Sequence, residues 1–170
     1  MWGTSFAIDR CDQRSNAEKK NREETMYKHI LLPTDGSELS QGASRQAVAF
    51  AKSINARLTG ITVSPSFHVL SLDAQMVTYT PEQYRKDCDA RAEKYLGVIR
   101  KLANAAGVAY EGVHVVNDQP YQAIIKAAQE KGCDLIFMAS HGRKGVSALV
   151  LGSETNKVLT HSKIPVLVYR

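Results

Sequence analysis

The sequence predicts an α/β protein built on an open, doubly wound parallel sheet, and three observations support this fold class. Short apolar runs alternate with longer segments in which apolar residues recur at helical spacing. Such alternation favours β-α-β units, whose strands lie parallel. The strand runs are almost continuously apolar, which is typical of a sheet covered by helices on both faces. The pattern fills residues 26–170 and suits one domain.

The predicted strands are short apolar runs, except the third, which alternates with period two, and the predicted helices fill the longer segments between them. In chain order, the strands are residues 28–34, 57–63, 110–116, 134–139 and 165–169. The helices are residues 35–55, 80–106, 120–132 and 153–162, and a long loop spans residues 64–79.

Capping residues mark the ends of these helices. Asp35 or Ser37 can cap the first helix. Thr80 and Gln83 form a capping-box pattern at the start of the second helix, with Gln83 reaching back to the cap. Gly107 is expected to end that helix.

Composition excludes several classes of protein. The chain has 170 residues, of which 44% are hydrophobic, and a net charge of +5 at pH 7. Its cations are spread along the chain, so we expect an anionic small ligand rather than nucleic acid. Three widely spaced cysteines (Cys11, Cys88 and Cys133) indicate reduced thiols in a cytoplasmic protein. No apolar run reaches the length of a membrane span, so we expect no membrane partner.

Residues 1–25 differ from the rest of the chain. They carry five basic and five acidic residues and few apolar ones, so the net charge belongs to residues 26–170. Such a segment cannot offset its ordering entropy by burial. We expect a disordered or non-native polar leader, and its start lacks the features of a signal peptide.

Three segments follow predicted strands and should meet at the carboxyl edge of the sheet, where open α/β sheets bind ligands. They are residues 33–37, 62–65 and 139–142. Gly152 and Ser153 then open a helix, whose N-terminus can bind phosphate. Taken alone, this pair is also explained as a helix cap. The chain contains no P-loop, no G-x-G-x-x-G and no G-x-S-x-G motif.

The stretches "ILLPTDGS" and "MASHGRKGVSALVLGSETNKVLTHSKIPVLVYR" resemble the universal stress protein family over residues 26–170. The ATP-binding branch of that family carries Gly-x-x-Gly, nine residues, then Gly-Ser or Gly-Thr. Gly142 and the pair Gly152-Ser153 fit this spacing, whereas Ala139 stands at the position of the first glycine. The resemblance implies a single Rossmann-like domain with strand order 3-2-1-4-5.

The resemblance also implies a set of nucleotide-binding residues. They are Pro33, Thr34, Asp35, Val63, Ala139, Gly142, Arg143, Gly152, Ser153, Glu154 and Thr155. The first three would lie near the adenosine, the backbone of Val63 would bond the adenine edge, and the others would surround the sugar and phosphates. Asp35 has a competing role as a helix cap, and Val63 has one as plain core. Ala139 costs little if its φ is negative, but weakens binding if glycine is needed to admit the ligand.

The function implied is that of a cytoplasmic ATP-binding protein with a regulatory role in the stress response. ATP, or AMP or ADP, would bind with Mg²⁺, and any hydrolysis would be slow. The alternative is a homodimeric stress protein that binds no nucleotide and acts through an unknown protein partner. In both cases the last strand, residues 165–169, would pair across a two-fold axis. We assign no catalytic residue: His141 is better explained as a structural loop histidine, and the other histidines show no metal-binding spacing.

Overall fold

The computed structural model describes residues 26–67, 80–142 and 151–170. The strands are β1 (His29–Pro33), β2 (Arg57–Ser64), β3 (Tyr110–Val116), β4 (Leu135–Ala139) and β5 (Val166–Tyr169). The helices are α1 (Glu38–Ser53), α2 (Pro81–Ala106), α3 (Pro120–Glu130) and α4 (Ser153–His161). All strands are parallel and lie in the order β3-β2-β1-β4-β5, which confirms the predicted fold class and strand order.

The sheet separates two hydrophobic clusters because successive side chains of a strand point to opposite faces. In β1, Ile30 and Leu32 face one cluster, whereas Leu31 faces the other. The first cluster is completed by α1 and α2, and the second by α3 and α4. Both faces of the central strands are therefore buried, as their continuous apolar sequence indicates.

Most of the capping predictions are confirmed. Ser37 caps α1 by accepting a hydrogen bond from the Ser40 amide at 3.2 Å. Thr80 caps α2 in the same way, and Gly107 ends that helix in the left-handed conformation with φ +73°. The second half of the capping box is wrong: the amide group of Gln83 donates to the Asp87 carboxylate at 3.2 Å. The side chain is drawn toward this charged acceptor one turn ahead, so its oxygen does not reach back to accept from the Thr80 amide.

Several predicted features lie outside the described residues, namely the leader (1–25), most of the long loop (68–79) and residues 143–150. Within the described ranges, no helix combines the length and the apolar character needed to cross a membrane.

Candidate functional site

The candidate site lies at the carboxyl edge of the sheet between β1 and β4. The chain passes from β1 to β2 on one side, while β4 pairs with the other side of β1. This reversal of winding opens a crevice beyond the two strand ends, where doubly wound proteins bind ligands. The turn after β1, the exit of β4 and the start of α4 approach one another there.

The turn after β1 holds Asp35 in a fixed position. The Thr34 amide donates to the Ile61 carbonyl at 2.9 Å, which fixes the end of β1 against β2. Asp35 Oδ1 then accepts a hydrogen bond from the Ser37 amide at 3.0 Å. Gly36, between them, has φ +79°, a conformation that glycine adopts without strain. Because Ser37 caps α1, Asp35 stabilises the turn and is not the cap itself.

Two glycines allow the other segments to come close. A Cβ atom at Gly142 would overlap Asp35 Oδ2, so the absence of a side chain brings the exit of β4 against this carboxylate. A Cβ atom at Gly152 would lie 3.1 Å from His141 Cα and 3.3 Å from the Ser140 carbonyl oxygen. The Gly152 amide donates to that same carbonyl at 2.8 Å. Since Gly152 has φ −59°, it is needed for space and not for a left-handed conformation.

The start of α4 presents backbone N–H groups without a capping side chain. Gly152 is the N-cap residue and offers no side-chain hydrogen bond. Its carbonyl accepts from the Asn156 amide at 2.9 Å, so the amides of Ser153, Glu154 and Thr155 precede the first helical hydrogen bond. These three amides carry the positive end of the helix dipole, which attracts anions.

The side chains of this first turn differ in what they contact. Ser153 is exposed. The buried Thr155 hydroxyl donates to the Ala139 carbonyl at 3.0 Å and so ties α4 to the end of β4. The Glu154 carboxylate accepts from the Tyr121 amide at 2.9 Å and from Lys157 Nζ at 2.8 Å. Glu154 and Thr155 can therefore offer a ligand their amides, while their side chains hold the helix in place.

The methyl group of Ala139 lies on the α1 and α2 face of the sheet. It packs in the cluster formed with α1 and α2 and is 8% exposed. In the described part of the chain, Asn55 is the only residue besides glycine with a positive φ, so the backbone at Ala139 does not require glycine. The conformational reason for glycine is therefore absent at this position, and the remaining question is whether a ligand needs the space of the methyl group.

The backbone of Val63 faces the crevice. The Ile61 carbonyl accepts a hydrogen bond from the Thr34 amide on the β1 side. The Ser64 carbonyl accepts one from the Asn117 amide on the β3 side at 2.8 Å. Since peptide groups alternate direction along a strand, the N–H and C=O of Val63 point toward β1. The paired part of β1 ends at Pro33, which is in register with Ile61, so these groups lie beyond it. The Val63 side chain meanwhile packs against the second cluster.

The structure thus brings together most of the site residues that the sequence suggested. Arg143 lies outside the described residues. Sequence reasoning missed the Ser140 carbonyl that receives Gly152, and it missed the bond from Glu154 to α3. Both depend on packing between segments distant in sequence, and no local motif marks them. The described residues contain no group of three or more His, Cys, Asp or Glu side chains arranged to bind a metal ion.

Comparison with known proteins agrees with this geometry. Universal stress protein YxiE of Bacillus subtilis is 32% identical over 149 residues, covering 85% of this chain and all of YxiE. The structure of MJ0577 of Methanocaldococcus jannaschii superposes with a TM-score of 0.70 at 29% identity, covering 84% of this chain and 95% of that one. A universal stress protein in complex with cAMP gives a TM-score of 0.63 at 28% identity, covering 85% and 97% of the two chains. The model of the universal stress protein family matches residues 26–170. The chain therefore belongs to the universal stress protein family.

Proposed function

We propose that this protein binds an adenine nucleotide, ATP in the first place, at the crevice between β1 and β4. The observation that carries the proposal is the uncapped start of α4, whose free amides stand beside the turn that holds Asp35. An anion is the natural partner of such a helix start, and a carboxylate is a natural acceptor for ribose hydroxyls. The related structure in complex with cAMP supports an adenine ring as the base.

Each part of the nucleotide has a matching group in the site. The backbone N–H and C=O of Val63 can bond the edge of the adenine, and Asp35 can accept from the ribose. Pro33 and Thr34 would lie near the adenosine. The amides at the start of α4 and the exposed Ser153 hydroxyl can bind the phosphates, with Arg143 as a further cation. Mg²⁺ would bind chiefly to phosphate oxygens and water, as it does in most nucleotide sites.

Binding without rapid turnover fits the chemistry of these residues. Nucleotide hydrolysis needs a group that orients or deprotonates the attacking water. Asp35 is engaged by the Ser37 amide, and Glu154 is engaged by α3 and Lys157. We therefore propose a regulatory protein of the stress response, in which occupancy alters the surface read by a partner, and at most a slow ATPase.

Titration calorimetry with ATP and Mg²⁺ tests the proposal, and Gly152→Val is the informative variant. Its side chain would crowd His141 and cover the amides of α4. We therefore expect the affinity for ATP to fall at least about 10-fold, which corresponds to the loss of about one charge-assisted hydrogen bond. Gly97→Val is the matched control, because a Cβ atom at Gly97 in α2 meets nothing within 4 Å. Unchanged affinity in a folded Gly152→Val protein would remove α4 from the site.

Asp35→Asn provides a second test that preserves the turn. The amide oxygen of asparagine can still accept from the Ser37 amide, while the negative charge next to Gly142 is lost. We expect weaker binding of the ribose with little change in the melting temperature. If wild-type protein binds no nucleotide up to millimolar ATP and carries none after purification, the protein acts through protein contacts alone.

We also infer a homodimer formed through β5. This strand lies at the edge of the sheet, and its Leu167 is 36% exposed. An apolar edge strand is a ready template for pairing with a second copy. Leu167→Lys should shift the mass measured by light scattering toward the monomer, whereas Val98→Lys, at a similarly exposed position on α2, should not. A dimer that persists in Leu167→Lys would exclude this edge.

A cytoplasmic location is the last part of the proposal. Cys88 and Cys133 are both buried and free, which suits a reducing compartment.

A further inference from the structure

A second group of reactive side chains lies on the other side of β2, between the sheet and α2. Ser64 is the last residue of β2, His114 lies on β3, and Asp89 lies on α2. Ser64 Oγ is 2.9 Å from His114 Nε2. The other ring nitrogen, Nδ1, is 3.1 Å from Asp89 Oδ1. We propose that Ser64, His114 and Asp89 form a serine nucleophile triad that hydrolyses short-chain acyl esters.

The bonding pattern fixes the proton positions that such chemistry needs. An ionised carboxylate can only accept a hydrogen bond, so Asp89 selects the tautomer of His114 that carries its proton on Nδ1. The lone pair of Nε2 is then directed at the hydroxyl of Ser64. This is the arrangement of nucleophile, general base and orienting carboxylate found in serine hydrolases of unrelated folds. The chain order serine, aspartate, histidine is also that of the α/β-hydrolases.

The fold explains why these residues converge. Ser64 and His114 belong to neighbouring strands in which Thr62 is in register with His114 and Ser64 with Val116. Ser64, His114 and Val116 therefore share one face of the sheet. It is the face of α2, since Tyr110, on the same face of β3, donates to the Leu96 carbonyl at 3.1 Å. The nucleotide-binding residues implied by the family resemblance lie toward β1, whereas this group lies between β2, β3 and α2. The two sites are therefore independent.

A cavity suited to an acyl ester adjoins the triad. Its volume is about 420 Å³, within the ordinary range of small-ligand sites. It is lined by Pro65, which follows Ser64, by Val116, and by Asp89 of the triad itself. Phe67 and Tyr84 add an aromatic wall, with ring centroids 5.4 Å apart. Ser64 itself is only 8% exposed, which favours slender acyl groups over bulky ones.

The reaction balances with water as the only co-substrate. Ser64 Oγ forms a bond to the carbonyl carbon, its proton passes to His114 Nε2, and the carbonyl electron pair moves to oxygen. Collapse of this intermediate breaks the bond to the alcohol oxygen, which leaves with the proton from Nε2. Water then attacks the acyl group on Ser64, and the acid leaves as the serine regains its proton. Arg85, which lines the cavity one helical turn before Asp89, is the cation we assign to the negative oxygen.

Labelling with a fluorophosphonate tests the nucleophile directly. The serine oxygen forms a bond to phosphorus and fluoride leaves, which adds a phosphonyl mass to the peptide that contains Ser64. We expect this label in the wild-type protein and none in His114→Gln, because the general base is lost. Ser66→Ala and His161→Gln are the controls that should keep the label. This readout does not depend on any variant folding, since the wild-type protein alone can show or lack the label.

Turnover of p-nitrophenyl acetate provides the second readout. We expect Ser64→Ala to lose at least about 10²-fold in rate, and Asp89→Asn to lose a similar factor through the wrong tautomer. A wild-type protein that is folded but carries no phosphonate on Ser64 would overturn the proposal, as would a Ser64→Ala protein that keeps its rate. The three residues would then only fasten α2 to the sheet.

Discussion

Replacement of Gly36 by alanine tests how the turn after β1 is held. Gly36 has φ +79°, and a Cβ atom added there would overlap the ring of Tyr95 on α2. Two costs follow. Alanine in a left-handed conformation is less stable than glycine by about 1–2 kcal/mol. Inserting a methyl group against a packed ring adds about 1–3 kcal/mol.

The packing cost should lie near the lower end of its range. Tyr95 and Gly36 both line a cavity of about 230 Å³ between α1 and α2, so the ring has room to move. We therefore expect Gly36→Ala to lower the free energy of unfolding by about 2–3 kcal/mol. In a Tyr95→Ala background only the conformational cost should remain, so the two changes should not be additive.

Urea denaturation followed by circular dichroism measures these values. Gly97→Ala is the matched control with the opposite sign: it lies inside α2 with nothing near its Cβ position, so it should stabilise the protein by about 0.5–1 kcal/mol. A Gly36→Ala protein as stable as wild type would show that the turn can adopt another conformation. Strict additivity with Tyr95→Ala would show that the ring does not resist the methyl group.

Three further predictions concern buried polar groups. Burial of His29, the first residue of β1, lowers its pKa below 6.5. As the pH falls below that value, His29 takes up a proton more readily in the unfolded chain than in the native protein, so the free energy of unfolding should decrease. Urea denaturation at about pH 7.5 and about pH 5 measures this decrease, and His29→Gln should make it smaller. Thr155→Val should cost about 1–3 kcal/mol by leaving the Ala139 carbonyl unpaired, and an unchanged urea midpoint would contradict the role of that bond. Burial raises the pKa of Cys133 to about 11, so iodoacetamide at about pH 8 should leave this thiol unmodified in the native protein, as peptide mass mapping would show.

Much of the fold could be predicted because its signals are local. Most strands are short apolar runs, and each helix carries its own period, with clear caps where Thr80 and Gly107 bound α2. Parallel connections then leave few topologies. The failure at Gln83 is of another kind, since its side chain could reach back to accept from the Thr80 amide or forward to donate to Asp87, and the sequence places both almost equally near.

The site was predictable where motif spacing reflects backbone geometry. Gly142 and Gly152 are needed because Asp35 and His141 approach them, and glycine at both positions is visible in the sequence. The position of the Ala139 methyl group was not visible, because it depends on which face of β4 this side chain takes. That face follows only once β4 is placed against β1, where Ile30 is in register with Leu135.

The end of β2 shows how one strand can serve two sites that the sequence cannot separate. At Val63 the backbone points toward β1 and the proposed nucleotide site, while the side chain is buried with α3 and α4. At Ser64 the backbone points toward β3, while the side chain meets His114 under α2. A shift of the β2–β3 register by one residue would turn Ser64 away from His114 without changing any local motif. The histidine, serine and aspartate therefore appear scattered in the sequence, and only the register of the two strands and the phase of α2 bring them within hydrogen-bonding distance.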